Sequence, residues 1–307
     1  MQARPLLVFL VGPTGVGKSA VALRLAEALD GEIISCDSMQ VYRGFDIGTD
    51  KPTAADRARV PHHLIDVVEA GSQFNAADFA SRAVEAIAQI RGRGRRPFVV
   101  GGTGLYFKAL ENGLFPGPGR DEAIRQALDE EARTLGSEAL WERLARVDPV
   151  YAAKTGRRDR VRIVRALEVQ VLTGTPLSDH FRATESLLRD EQPLKIGLNR
   201  PREELYRRIE ERVDRMFAHG LVEETRTLLA RNVPVSAPPF KALGYKHVLR
   251  VLRGEIDLAE AAGLTKIDTR HYAKRQLTWF NRMPEVRWID PDETDPLALL
   301  TDASKGA

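Results

Sequence analysis

Apolar positions in this chain follow two periods. Leu6-Leu7-Val8-Phe9-Leu10-Val11 is an unbroken apolar run, the pattern of a parallel strand covered on both faces. A glycine-rich loop follows, and residues 19–29 read as a helix stopped by Asp30-Gly31. Residues 32–36 form a second strand pattern, 64–68 a short third and 97–100 a fourth. Between the last two, Asn75 supplies an N-cap for a helix reaching about Arg91, with Phe79, Ala83, Ala86 and Ile90 on one stripe. Strands alternating with helices predict an α/β fold around a parallel sheet.

The texture changes at Pro116-Gly117-Pro118-Gly119, a boundary signal. From there to about Gln192 the pattern is helical only, and Leu194-Lys195-Ile196-Gly197-Leu198 then restores a strand. The expected organisation is an α/β core in two parts, residues 1–116 and 193–307, interrupted by an all-α insertion over 117–192. In the second part, residues 203–217 make an amphipathic helix with Leu205, Ile209, Val213 and Met216 inward and Gly220 beyond its end. Helices around 258–261 and 264–280 and a short strand over 286–289 follow.

Composition narrows the classes. The 307 residues are 43% hydrophobic and 29% charged, enough for about two folded domains and against wholesale disorder. The single cysteine, Cys36, excludes an intrachain disulfide framework and any Cys-based zinc finger. Leu6–Val11 is far short of the roughly 18 apolar residues of a membrane span, and Gly12-Pro13 breaks it where a signal peptide would continue. A cytoplasmic, reduced, unanchored protein is expected, monomeric for want of a surplus apolar helix face. Net charge is only +3, but residues 151–182 hold seven Lys/Arg against three Asp/Glu, and 240–283 nine against four. The tail after Met283 carries six acids and two bases, which masks both. Two such stretches are either solvated helix faces or the footprint of a polyanion.

Gly12-Pro13-Thr14-Gly15-Val16-Gly17-Lys18-Ser19 has the G-x-x-x-x-G-K-[ST] spacing, after a strand and opening a helix. Backbone N–H groups of such a loop cradle phosphate oxygens, the helix N-terminus favours negative charge, Lys18 adds a cation and Ser19 offers an oxygen to magnesium. The usual Walker-B acid is missing, since Phe98-Val99-Val100 runs into Gly101-Gly102-Thr103-Gly104. The acid closes the second strand instead, in Ser35-Cys36-Asp37-Ser38-Met39-Gln40. Strand order is expected to put Asp37 at the carboxyl edge beside the loop, as a general base or as a strand-end cap. His62-His63 has no third ligand at metal spacing, and Cys36 reads as packing.

Taken in order, these motifs resemble the tRNA dimethylallyltransferases, also called tRNA isopentenyltransferases, of the shorter bacterial type. Beyond the loop, the resemblance rests on Gly48-Thr49-Asp50-Lys51-Pro52, Pro61-His62-His63-Leu64-Ile65-Asp66, Gly101-Gly102-Thr103-Gly104-Leu105-Tyr106 and Asp159-x-x-Arg162-x-x-Arg165-Ala166-Leu167-Glu168. Gly244-Tyr245-Lys246 and Tyr272-Ala273-Lys274-Arg275-Gln276-x-Thr278-Trp279 complete it. It implies a P-loop NTPase-like sheet and transfer of a dimethylallyl group from its diphosphate to N6 of the adenosine 3′ of a tRNA anticodon, with pyrophosphate leaving and Mg2+ assisting.

On that resemblance Asp37, Thr103 and Arg212 are catalytic, and the loop from Gly12 to Ser19 holds the diphosphate, with Ser19 toward magnesium. The tRNA contacts it implies are Asp37, Ser38, Met39, Gln40 and Thr103, then Arg125, Val161, Arg162, Ile163, Val164 and Arg165 in the insertion. Lys241, Ala242, Leu243, Gly244, Tyr245 and Lys246 follow, and finally Lys274, Arg275, Gln276, Leu277, Thr278, Trp279, Phe280 and Asn281. Val161 stands where many members carry Gln. Two other readings of the P-loop stay open, a small-molecule or nucleotide kinase and a nucleotide-switched RNA-binding protein, and ATP is a further possible occupant.

Overall fold

The computed structural model describes residues 5–305 other than Leu114 and Pro116, with side chains as far as Leu300. It divides into two compact units, one built from Met1–Glu111 with Leu187–Ala307 and one from Asn112–Ser186.

In the first unit, β1 (Leu6–Val11) leads through the glycine loop to α1 (Lys18–Ala28), β2 (Gly31–Cys36), α2 (Ala54–Arg59) and β3 (His62–His63). Then come α3 (Ala76–Gly92), β4 (Arg96–Gly101) and α4 (Gly104–Asn112). The second unit holds α5 (Glu122–Leu135), α6 (Ser137–Val147), α7 (Pro149–Ala152), α8 (Arg160–Thr173) and α9 (Leu177–Arg182). The chain returns with β5 (Gln192–Leu198), α10 (Arg202–Ala218), α11 (Leu221–Ala230), α12 (Leu243–Leu252), α13 (Leu258–Phe280), β6 (Arg287–Ile289) and α14 (Pro296–Lys305). All six strands are parallel, in the order β3-β2-β4-β1-β5-β6, the α/β sheet of a P-loop NTPase-like fold.

Parallel strands are covered on both faces, and β1 meets that demand. Val8 and Leu10 pack with Val21, Leu25, Leu205 and Ile209 on one side. Phe9 meets Phe107 on the other, and Phe107 meets Phe280. A second apolar cluster, around Phe45, Phe240 and Tyr245, holds the segment after β2 against α11 and α12.

Three elements depart from the sequence reading. The strand expected over 64–68 does not extend, because Leu64 and Asp66 take φ of 61° and 57°, and only Val68 bridges to Tyr42. That backbone turns so that Asp66 receives Lys51 and Arg57 at 2.6 and 2.8 Å. The two helices expected over 258–280 are one, α13. Gly263 costs about 1 kcal/mol against Ala but does not end the helix. Finally, the helical unit ends at Ser186 rather than near Gln192, since Glu191 is held by Arg91 of α3 at 2.8 Å and the Gln192 N–H donates to Pro5. Pro116, in the boundary signal, lies outside the described residues.

The helical unit has its own core, around Leu128, Leu140, Leu144, Ile163 and Leu167. Within it Glu168 is fully buried and receives both Arg125 nitrogens at 2.8 Å, Arg165 at 2.7 Å and the Asp121 N–H at 2.8 Å. Burial pushes the Glu168 pKa up, but the bonds from Arg125 and Arg165 outweigh it and hold the group at about 2. Glu168→Ala, which strands two arginines, should cost about 3–5 kcal/mol in urea unfolding. Because the folded pKa lies below the ordinary 4.5, this contribution is complete above about pH 4.5 and declines as pH falls toward 2. A variant within about 1 kcal/mol of wild type at pH 7 would contradict that role.

Candidate active site

Register brings the chemistry together. Val11 of β1 pairs with Gly101 of β4, and Gly101 pairs with Cys36 of β2, so three strand ends stand level. The next residues along each are the P-loop, Gly102-Thr103 and Asp37. Asp37 stands at the carboxyl edge and lines the same opening as the loop, with β4 and its glycine turn between the two strands. With α10, α13 and residues 241–244, these ends line a cleft of about 640 Å³. Openings at the carboxyl edge of such sheets are where α/β proteins bind ligands.

The loop is held from outside by arginines. Gly15 takes φ of 83°, and a Cβ there would lie 2.7 Å from Ile209, so glycine is required on both counts. Its carbonyl accepts from Arg208 at 3.0 Å, and that of Val16 accepts from Arg200 at 2.9 Å. Arg212 donates to the Thr14 hydroxyl at 2.6 Å and lies 3.3 Å from Asp50. Arg208, Arg212 and Arg215 are spaced i, i+4, i+7 along α10 and all face the cleft. That spacing was the available signal for Arg208 and Arg215; sequence reasoning singled out Arg212 alone.

Lys18 folds back on its own loop and donates to the carbonyls of Gly12 and Pro13 at 2.9 and 2.8 Å. Burial, then the neighbouring Arg212 charge, lower its pKa to about 8, against the opposing pull of Asp37 and Asp50. An anion entering the cleft relieves both pressures. Ser19 is exposed to the cleft at the start of α1. No group of three His, Cys, Asp or Glu suited to a metal occurs among the described residues. Ser19, beside the phosphate loop and lining the cleft, is an oxygen donor of the kind that a hard divalent ion takes together with phosphate oxygens.

On the opposite wall, one Asp37 oxygen accepts the N–H groups of Met39 and Gln40 at 2.8 and 3.3 Å. The strand-end cap and the general base are thus compatible, since the cap fixes the carboxylate while it still lines the cleft. Thr103 accepts the Ser38 N–H at 3.1 Å, tying the glycine turn to this segment. Gln40 reaches the carbonyls of Thr49 and Asp50 at 3.2 and 3.1 Å. Glu224 receives the N–H groups of Asp46, Ile47 and Gly48, and so fixes the loop that presents Asp50. Nothing in the sequence pattern flagged Glu224. The Cys36 thiol is buried, and burial followed by the Asp37 charge pushes its pKa well up, which suits packing.

Several residues expected to meet tRNA are placed otherwise. Tyr245 is buried between Phe45 and Phe240, and its hydroxyl joins Glu224 and the Gly48 N–H. Phe280 is buried against Phe107, Ile163 and Val164 lie in the helical core, and Leu277 packs on the sheet core. Arg125 and Arg165 are committed to Glu168, and Arg165 also to the Pro118 carbonyl. Lys246 pairs with Asp268 at 2.6 Å. Gln276, 6% exposed, is bonded at both ends inside the protein. Exposed are Val161 at 80%, Arg162, Lys274, Thr278, Trp279 and Asn281. Lys241, Ala242, Leu243, Gly244 and Arg275 line the cleft.

Comparison with known proteins gives one answer. The family model described as IPP transferase matches residues 40–283. The tRNA dimethylallyltransferase of Geobacter metallireducens is 52% identical over 284 residues, 92% of each chain. That of Geobacter sulfurreducens is 51% identical over 96% of this chain and 95% of its own. Among solved structures, the tRNA isopentenylpyrophosphate transferase of Bacillus halodurans is similar at a TM-score of 0.70 with 40% identity, covering 98% of this chain and 94% of that one. A eukaryotic dimethylallyltransferase acting on tRNA matches at 0.78 with 28% identity, over 99% of this chain and 77% of that one.

The Lys18 environment makes a pH prediction. Inorganic pyrophosphate, titrated calorimetrically, should bind more weakly as pH rises from 7 to 9.5, because the free protein loses the Lys18 proton from about pH 8 upward. Lys18→Met should weaken binding about 10- to 100-fold at pH 7, the worth of one charge-assisted bond, and flatten the pH dependence. An equally steep dependence in the variant would assign it to another group.

Proposed function

The chain belongs to the IPP transferase family, and from that premise we propose that its cleft transfers a dimethylallyl group from dimethylallyl diphosphate to N6 of the adenosine 3′ of the anticodon. The tRNAs are those reading codons that begin with U, and pyrophosphate is the second product. The observation that carries this reading is a phosphate loop facing a carboxylate across one cleft, with a glycine turn where an ATPase would have its Walker-B acid.

Lys18, Arg212 and the loop amides hold the diphosphate and stabilise the charge that grows on it as the allylic C–O bond breaks. The adenine N6 attacks the same carbon, its lost proton passes to Asp37, and the bonding electrons leave with pyrophosphate. Ser19 would hold a magnesium ion, which would supply further neutralisation of that charge. Met39 and Gln40 fix Asp37 before substrate arrives, so the base needs no reorganisation. An adenosine must leave its stack to reach this centre. Exposed Lys274, Thr278 and Trp279 of α13, with Asn281 just past its end and Arg275 at the cleft, meet the RNA, and Arg162 meets it in the helical unit. The proposed location is the cytoplasm, and no described helix is long and apolar enough to cross a membrane.

The test is mass spectrometry of an unmodified tRNA carrying adenosine after its anticodon, incubated with dimethylallyl diphosphate and Mg2+. One dimethylallyl mass is gained on that adenosine. Asp37→Ala should reduce turnover by about 100-fold or more while stem-loop affinity stays within a few-fold. Equal turnover in the variant would remove Asp37 as the base. No mass gain with any such tRNA would return the cleft to the kinase reading.

A further inference from the structure

The two halves of the cleft are joined by one buried side chain. Gln276, on α13, accepts the Thr14 N–H at 2.8 Å through its carbonyl and donates its amide N–H to the Gly102 carbonyl at 2.9 Å. Thr14 belongs to the phosphate loop and carries Arg212 on its hydroxyl. Gly102 precedes Thr103, whose hydroxyl holds the N–H next to Asp37. The Thr14 amide is therefore bonded to protein, and its peptide plane is set by Gln276. The fit has no slack, since a Cβ on Gly102 would fall 2.1 Å from the Gln276 amide nitrogen. An acceptor at one end and a donor at the other are both required, which a primary amide provides and a carboxylate or an apolar side chain does not.

We propose that Gln276 is a positioning residue that sets the reach between the diphosphate cradle and the Asp37 wall. Both of its polar ends are taken by protein. Its effect is on alignment, because displacement at the allylic carbon needs the amine, the carbon and the leaving oxygen in line, and a misplacement of about 1 Å costs on the order of 100-fold. The inference rests on the transferase reading of the cleft.

The experiment measures single-turnover rate constants and separate ligand affinities on full-length wild type, Gln276→Met, Gly102→Ala and the double variant. Each single substitution should slow transfer about 30- to 100-fold, with Kd for pyrophosphate and for an unmodified anticodon stem-loop within about threefold of wild type. The double variant should be no more than about threefold slower than the worse single one, because both cut the same bridge. A folded Gln276→Met with wild-type rate overturns the proposal, as does a loss that appears wholly in Kd or losses that multiply in the double variant. Should Gln276→Met fail to fold, Gly102→Ala reads the bridge from its other end, and the same split between rate and affinity decides. Failure of wild type to transfer the group removes the transferase reading and the inference with it; an active wild type with unimpaired variants removes the inference alone.

Discussion

The position of β4 between β1 and β2 is the constraint on which the site depends. Parallel pairing fixes Val11 against Gly101 and Gly101 against Cys36, and three turns of unrelated sequence are thereby brought to one edge. A shift of one residue in either pairing would turn β4 over and replace its buried face. β1, β2 and β4 are buried on both faces by close-packed side chains of different size, so the core itself enforces the register. Catalytic geometry here is a by-product of packing Phe9, Phe98 and Ile34.

Against that rigid edge, the cleft gathers cations at a cost. Lys18, Arg208, Arg212 and Arg275 line one opening, and part of the repulsion shows in the lowered pKa of Lys18. Carbonyls of the P-loop and the carboxylate of Asp50 offset some of it. The remainder is a field preorganised for an anion, which is stronger in a partly dry cleft than in water. Arg200 holds the loop from further out and is itself paired with Asp292, so the acidic tail that masks the net charge supports the loop.

Legibility in the sequence followed from how much of a function is local. The P-loop and the Asp37 segment are contiguous strings with a fixed relation to a strand, and both were readable. The contribution of α10 was only partly readable, because Arg208 and Arg215 acquire meaning only when Gly15 and the Thr14 hydroxyl are known to lie beneath that helix face. Glu224 was invisible: a carboxylate receiving three backbone amides has no sequence signature. Contiguous motif strings also misled. On α13 the helical period sends Lys274, Arg275 and Thr278 outward and Ala273, Gln276 and Phe280 inward, so a run of eight residues cannot be one surface. Tyr245 and Ile163 face inward for the same reason.

The basic stretch of the helical unit is sorted by what its arginines are paired with. Arg160, Arg162 and Arg182 meet Asp129, Asp159 and Asp179 near the surface. Such pairs are worth about 0–1 kcal/mol, so a phosphate can replace the carboxylate at little cost. Arg157 lies over the Trp141 ring, a contact that leaves its charge available to a second partner. Arg125 and Arg165 differ, because releasing either to a phosphate would take a partner from a fully buried carboxylate. Both are fixed by the helical core, Arg165 also through the Pro118 carbonyl. Sequence counts cannot separate the two kinds of arginine, whereas the burial of their acidic partners does.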